Sequence, residues 1–190
     1  MTFSSNANMI LTEFKHVFSN AQLLYSEREL EQSLDNLATA ITQTLSDKNP
    51  LVLCVMNGAI VMTGKLLPRL SMPLTLDAIN ASRYQNDTIG SQIDWLYTPR
   101  STIKNRCVLI VDDILDEGIT LKAIYEYCYQ QEASEVYSAV LIDKQLSTTK
   151  ACQANFIGLS VPNRYVFGYG MDYKGYGRNA NGLYACQEIV

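Results

Sequence analysis

The sequence predicts an α/β fold, a mostly parallel twisted sheet flanked by helices, and three observations carry that expectation. Leu51 to Met56, Cys107 to Val111 and Val136 to Ile142 are continuous apolar runs of strand length, the form taken by strands buried on both faces of a sheet. Between them lie stretches with apolar residues at helical spacing, such as Ile60 to Leu67, and Ile119, Ala123, Ile124 and Tyr127. Strands that alternate with helices need right-handed crossovers, hence a parallel sheet. A chain of 190 residues with 47% apolar content suits one domain across residues 1–190.

The first helix start is Ser26-Glu27-Arg28-Glu29, a capping box in which the Ser hydroxyl and the Glu carboxylate satisfy orphan N–H groups. Leu30, Leu34, Leu37, Ile41 and Leu45 follow on one face, and Asn49-Pro50 ends the element. Leu51 to Met56, a turn at Asn57-Gly58 and the helix to Leu67 form a strand–turn–helix unit, and Leu74 to Ala81 alternates like another strand. Ser82 to Pro99 is polar, contains glycine and lacks periodicity, the signature of a lid or binding loop.

Cys107 to Val111 then drives into Asp112, Asp113, Asp116 and Glu117, four acids in six residues that repel one another unless a cation or ligand compensates them. Gly118 permits a tight turn and a helix starts at Ile119. A turn of this kind at a helix N-terminus offers backbone N–H groups to a phosphate. Val136 to Ile142 ends in Asp143-Lys144, and Phe156 to Leu159 and Tyr165 to Tyr169 supply short strands.

Composition narrows the function classes. A net charge of −4 and a pI near 5.0 provide no basic surface for nucleic acid. Gly168-Tyr169-Gly170 lacks the third glycine of a dinucleotide fingerprint, and no P-loop is present. The five cysteines, odd in number and without a C-x-x-C pair, read as reduced, buried thiols of a cytoplasmic protein. Met1 to Asn8 is polar, and no eighteen apolar residues run together, so neither secretion nor membrane insertion is expected. The single histidine, His16, lies in a polar stretch and is expected to be solvated, without a role. Small molecules and other subunits are the expected partners.

Val108 through Thr120 resembles the signature of the type I phosphoribosyltransferases: four apolar residues, two acids, two apolar residues, an acidic residue, one further residue, Gly, any residue and Thr. The resemblance implies a small hood, built by the N- and C-terminal segments, over the parallel sheet. It implies that Asp112 and Asp113 hold the ribose hydroxyls of phosphoribosyl pyrophosphate, and that Asp116, Glu117, Gly118, Ile119 and Thr120 wrap its 5′-phosphate. Glu117 departs from the commonest form, which has Thr. A carboxylate facing a phosphate repels it, so Glu117 is expected to point away.

From the capping box to the C-terminus the chain is most similar to the bacterial hypoxanthine-guanine branch of that family. Asn57 and Gly58 then fall in its pyrophosphate loop, with Asn57 where many relatives carry Lys or Arg, and the Met56-Asn57 peptide is expected to be cis. Arg83 and Tyr84 fall at the base of a lid over residues 83–95. Lys144 falls where a lysine reads the 6-oxo group of the purine, Tyr165 where a ring stacks on the base, and Val166 where main chain meets its edge. Asp172 falls near metal and pyrophosphate, and Arg178 at pyrophosphate; Tyr173 and Tyr176 are expected to pack.

By the same resemblance, Asp116 is the acid/base and Mg²⁺ the cofactor, with Asp112, Asp113 and Asp172 as its carboxylates. The implied reaction joins phosphoribosyl pyrophosphate to the 6-oxopurine bases hypoxanthine or guanine, giving IMP or GMP and pyrophosphate, in a homodimer or homotetramer. Xanthine preference, or a non-catalytic regulator on the same fold, are the alternatives. Lys144 disfavours adenine, because an ammonium only donates.

Overall fold

In the computed structural model residues 3–83 and 93–187 are described, with side chains from residue 8 onward except at 82 and 83. In chain order these form α1 (Phe3–Asn20), β1 (Gln22–Tyr25), α2 (Glu27–Leu45), β2 (Leu51–Val55), α3 (Ile60–Leu66), β3 (Thr75–Arg83), β4 (Ile93–Tyr97), β5 (Cys107–Leu115), α4 (Ile119–Gln130), β6 (Glu135–Gln145), β7 (Phe156–Pro162), β8 (Val166–Phe167) and β9 (Leu183–Ala185). The main sheet has the order β4-β3-β2-β5-β6-β7, parallel except for β4 at one edge.

The apolar runs are continuous because successive side chains of each strand feed two different cores. Val52, Leu109, Val111, Ala139 and Leu141 face α2, whose Leu30, Leu34, Leu37, Ile41 and Leu45 are almost wholly buried. Leu51, Leu53, Val108, Ile110 and Val140 face Leu121, Ile124 and Cys128 of α4 on the opposite side. The capping box starts α2 as expected: the Ser26 hydroxyl accepts from Glu29 N, and the Glu29 carboxylate accepts from Ser26 N at 2.8 Å. A second, antiparallel sheet of order β1-β9-β8 joins the two ends of the chain into the hood.

Four expectations change. β5 runs on through Asp112 and Asp113 to Leu115, so the first two acids belong to a strand, paired with β6, and not to a turn. Part of the segment read as irregular is also strand: β3 reaches Arg83, and Ile93–Tyr97 pairs antiparallel to it, with the Trp95 ring tilted against Tyr127 at 5.0 Å. The polar N-terminal stretch forms helix α1. Its Phe14 and Phe18 pack on Phe167, Tyr176 and Tyr184 of the hood, while His16 is exposed as expected. β8 holds only two residues, because Gly168 and Met171 bond across a tight turn.

All five cysteines are free; Cys54, Cys107 and Cys128 are buried, but Cys152 and Cys186 are only half-buried, which corrects the expectation for those two. Among the described residues no helix is long and apolar enough to cross a membrane.

Candidate active site

At the carboxyl end of the parallel strands β2, β5 and the start of α4 enclose a cleft of about 340 Å³, the place where ligands bind in open α/β sheets. The chain leaves β2 through a cis Met56-Asn57 peptide, as expected, into Gly58. A Cβ on Gly58 would lie 2.0 Å from Oδ2 of Asp113, so only glycine lets this loop lie against the β5 acids. Gly118 has φ of +77° and begins α4 without a side-chain cap. The first N–H groups of α4, from Ile119 onward, therefore open toward the cleft end of the helix without intrahelical acceptors.

Burial holds the carboxyl groups of both Asp112 and Asp113 above the usual carboxylate range. The charge of Asp113 raises Asp112 further, while hydrogen bonds from Asp112 and from Ile114 N temper the rise of Asp113. Each carboxylate also accepts the N–H of its successor, Asp113 N to Asp112 Oδ1 and Ile114 N to Asp113 Oδ1, both at 2.9 Å. Two acids held close in a site that disfavours their charge are relieved by a bound proton or by a cation. On the far wall Arg178 pairs with Asp172 at 2.6 Å and donates to Gly170 O at 2.7 Å, while the Gly175 N–H donates to Asp172 at 2.7 Å.

A second cleft of about 210 Å³ adjoins the first and is lined by Asp113, Ile114, Asp116, Lys144, Tyr165, Val166, Met171 and Asp172. Lys144, its side chain only 12% exposed, donates to Asp116 Oδ2 at 2.6 Å. The Tyr165 ring is half exposed, sits edge-on to Tyr173 at 5.4 Å, and its hydroxyl donates to Asp172 O at 3.2 Å. The arrangement can seat a flat polar ring between Tyr165 and Ile114, with an ammonium at one edge and a carboxylate beside it.

Asn57, Gly58, Asp112, Asp113, Asp116, Glu117, Gly118, Ile119, Thr120, Asp172 and Arg178 all line the larger cleft, and Lys144, Tyr165, Val166 and Asp172 the smaller. Glu117 is exposed at the cleft's rim. Arg83 ends β3, and Tyr84 with most of the expected lid lies outside the described residues. Among the described residues no three acidic, His or Cys side chains cluster as a metal cage. Asp112, Asp113 and Asp172 therefore fit Mg²⁺ only in its usual mode, through one or two carboxylates with the remaining positions left to water and ligand oxygens. Sequence reasoning gave no site reading to Ala81 and Leu121, which also line the larger cleft; Ala81 was read only as the end of a strand, and neither carries a polar group that could have signalled it.

The phosphoribosyl transferase domain family matches residues 21–174. The hypoxanthine-guanine phosphoribosyltransferase of Bacillus subtilis is 30% identical over 159 residues, covering 83% of this chain and 88% of that protein. The bifunctional protein TilS/HprT of Listeria innocua is 33% identical over 83% of this chain, which spans 24% of that protein's length. Among solved structures, a hypoxanthine phosphoribosyltransferase from Trypanosoma cruzi superposes with a TM-score of 0.82 at 27% identity, covering 90% of this chain and 97% of that one.

Proposed function

The chain belongs to the phosphoribosyltransferase family, and on that premise we propose that it is a purine-salvage enzyme. It transfers the 5-phosphoribosyl group of phosphoribosyl pyrophosphate to hypoxanthine or guanine, forming IMP or GMP and releasing pyrophosphate. One observation carries this reading: Asp116 lines both clefts and is paired to Lys144 at 2.6 Å, which supports reading the two as an acid/base and a purine-reading cation at the seam.

The sugar phosphate occupies the larger cleft, with its 5′-phosphate on the turn from Asp116 to Thr120 and its ribose hydroxyls at Asp112 and Asp113. The leaving pyrophosphate lies between Asn57-Gly58 and Arg178. The base enters the smaller cleft, where Tyr165 stacks on it, Val166 meets its edge and Lys144 donates to O6. Cleavage at C1′ develops positive charge on the sugar, which the carboxylates at the seam stabilise. Asp116 accepts the proton the purine loses from its imidazole ring. Asp112, Asp113 and Asp172 are the residues that would hold Mg²⁺, which when bound would neutralise charge on the leaving pyrophosphate.

The protein works in the cytoplasm as a homodimer or homotetramer, a reading supported by the free cysteines and by exposed Ile60 and Leu76 beside an apolar hollow under the pyrophosphate loop. Light scattering reads the assembly, and a monomer at working concentration would refute that part. The activity test mixes the protein with phosphoribosyl pyrophosphate and Mg²⁺, offers hypoxanthine, guanine, xanthine and adenine separately, and follows nucleotide formation by absorbance. Hypoxanthine and guanine react and adenine does not; no nucleotide from either 6-oxopurine overturns the proposal.

A further inference from the structure

Lys150 lines neither cleft, yet its side chain is only 8% exposed and its ammonium lies directly behind the site. It donates to Leu115 O at 2.8 Å and to Asp143 Oδ1 at 2.5 Å. Leu115 and Asp143 are register partners at the adjoining ends of β5 and β6. The next residues along are Asp116 and Lys144. One ammonium therefore staples, from behind, the two strand ends that carry both members of the Asp116–Lys144 pair.

The residues after Lys150 continue the same support. Ala151 N donates to Glu117 O at 2.8 Å, and the Cys152 thiol lies 3.2 Å from Gly118 O. A Cβ on Gly118 would stand 3.0 Å from Cys152 N, so this segment lies in direct contact with the turn. A turn that presents N–H groups to an anion must send its carbonyls the other way, and buried carbonyls need donors. Residues 150–152 supply those donors to Leu115, Glu117 and Gly118 in order. A neutral donor could satisfy Leu115 O. A lysine side chain this far out of solvent is rare unless its charge is paired, and here that charge is paired to Asp143.

We propose that Lys150 is a positioning residue that holds the phosphate turn and the Asp116–Lys144 pair in working register. The inference rests on the reading of residues 116–120 as the 5′-phosphate site. It predicts a split among ligands: IMP and phosphoribosyl pyrophosphate carry the 5′-phosphate and depend on the turn, whereas free pyrophosphate binds at the Asn57-Gly58 loop and Arg178, which Lys150 does not touch.

The test uses Lys150→Met, which keeps length and removes charge, with Lys150→Gln as a second variant should Met fold poorly and Lys150→Arg as the conservative rescue. Thermal melting checks folding, titration gives IMP and pyrophosphate affinity, and steady-state kinetics gives KM and kcat. Lys150→Met weakens IMP and raises KM for phosphoribosyl pyrophosphate by about tenfold or more, leaves pyrophosphate affinity within about twofold, and Lys150→Arg restores most of the loss. A folded variant with unchanged IMP affinity overturns the inference, and so does an equal loss for IMP and pyrophosphate, which would mean general loosening. Thr120→Ala separates the two levels. If it weakens IMP while Lys150→Met does not, only the role of Lys150 fails; if neither does, residues 116–120 are not the phosphate site.

Discussion

Lys144 and Asp116 are expected to act as one unit, and a double-mutant cycle measures how far. Their charged atoms lie 2.6 Å apart with side chains 12% and 39% exposed. At an effective dielectric of about 20 the gross attraction is roughly 6 kcal/mol, most of it offset by desolvation. A coupling of about 0.5–3 kcal/mol is what contacting residues retain. Lys144→Gln lowers kcat/KM for hypoxanthine by about 10–100-fold, since it removes a charged donor worth ~1.5–3 kcal/mol, and its amide admits some adenine. Asp116→Asn lowers the rate of the chemical step by about 10²–10⁴ while phosphoribosyl pyrophosphate affinity holds. The double variant loses less than the product of the two single losses, by the coupling just given. Single-turnover rates with hypoxanthine, guanine and adenine provide the numbers. Full hypoxanthine efficiency in Lys144→Gln would show that Lys144 does not read the purine, and strict multiplicativity in the double variant would show that the pair does not function as one.

Three further outcomes are expected. Gly58→Ala forces its Cβ against Asp113, 2.0 Å from Oδ2, and the displacement of that carboxylate lowers kcat/KM by about 10²-fold with melting temperature little changed; near-normal activity would mean the loop and β5 need not touch. Glu31 joins α2 to α3 and to the C-terminal loop through Lys65, Arg69 at 2.5 Å and the Tyr169 hydroxyl at 2.5 Å. Burial raises its carboxyl, but these partners together outweigh burial and hold it at about 2, against 4.5 ordinarily. A depressed folded value stabilises above the unfolded value and is lost as pH falls from 4.5 toward about 2. With partners partly exposed, Glu31→Gln costs about 1–2 kcal/mol at pH 7, and the melting gap to the parent narrows on acidification through that window; a pH-independent gap would refute the assignment. Phe14→Ala removes ring contacts at 5.7 Å to both Phe167 and Tyr176 and costs ~1–3 kcal/mol, read as a melting temperature lower by several degrees. An unchanged melting temperature would mean α1 does not brace the hood.

The features legible in the sequence are those whose causes are local. The leucines of α2 repeat at helical spacing behind a capping box, and β5 states its burial through five apolar residues before its acids. The residues expected at the site stand in contiguous motifs at strand ends, and those from Asn57 to Arg178 that the structure describes, Arg83 aside, line two adjoining clefts. What escaped depends on distant partners. Phe14 and Phe18 look unremarkable among Asn, Ser and Thr until Phe167 and Tyr184 are beside them. Ile93–Tyr97 is a strand because β3 offers it an edge, which a reading of polarity along residues 82–99 does not show. Lys150 reads as one lysine in a polar stretch, and only the pairing of Leu115 with Asp143 reveals its place.

Among the described residues, the larger cleft is lined by Asp112, Asp113, Asp116, Glu117 and Asp172 against Arg178, with Asp116 paired to Lys144 and Asp172 to Arg178. A low-dielectric concavity focuses field lines, so wherever these acids are ionised their excess is expected to oppose an incoming polyanion before specific contacts form. Encounter kinetics should therefore run opposite to the usual steered association. Added monovalent salt, by screening like charges over a Debye length of ~10 Å at 0.1 M, speeds the arrival of the bare sugar pyrophosphate instead of slowing it. Complexed to a divalent ion, the same ligand arrives with less charge, and its on-rate depends less on ionic strength. On the proposed reading, the cation would act as an escort through the entrance, and the free ion concentration is expected to set how fast the site fills as well as how fast it turns over.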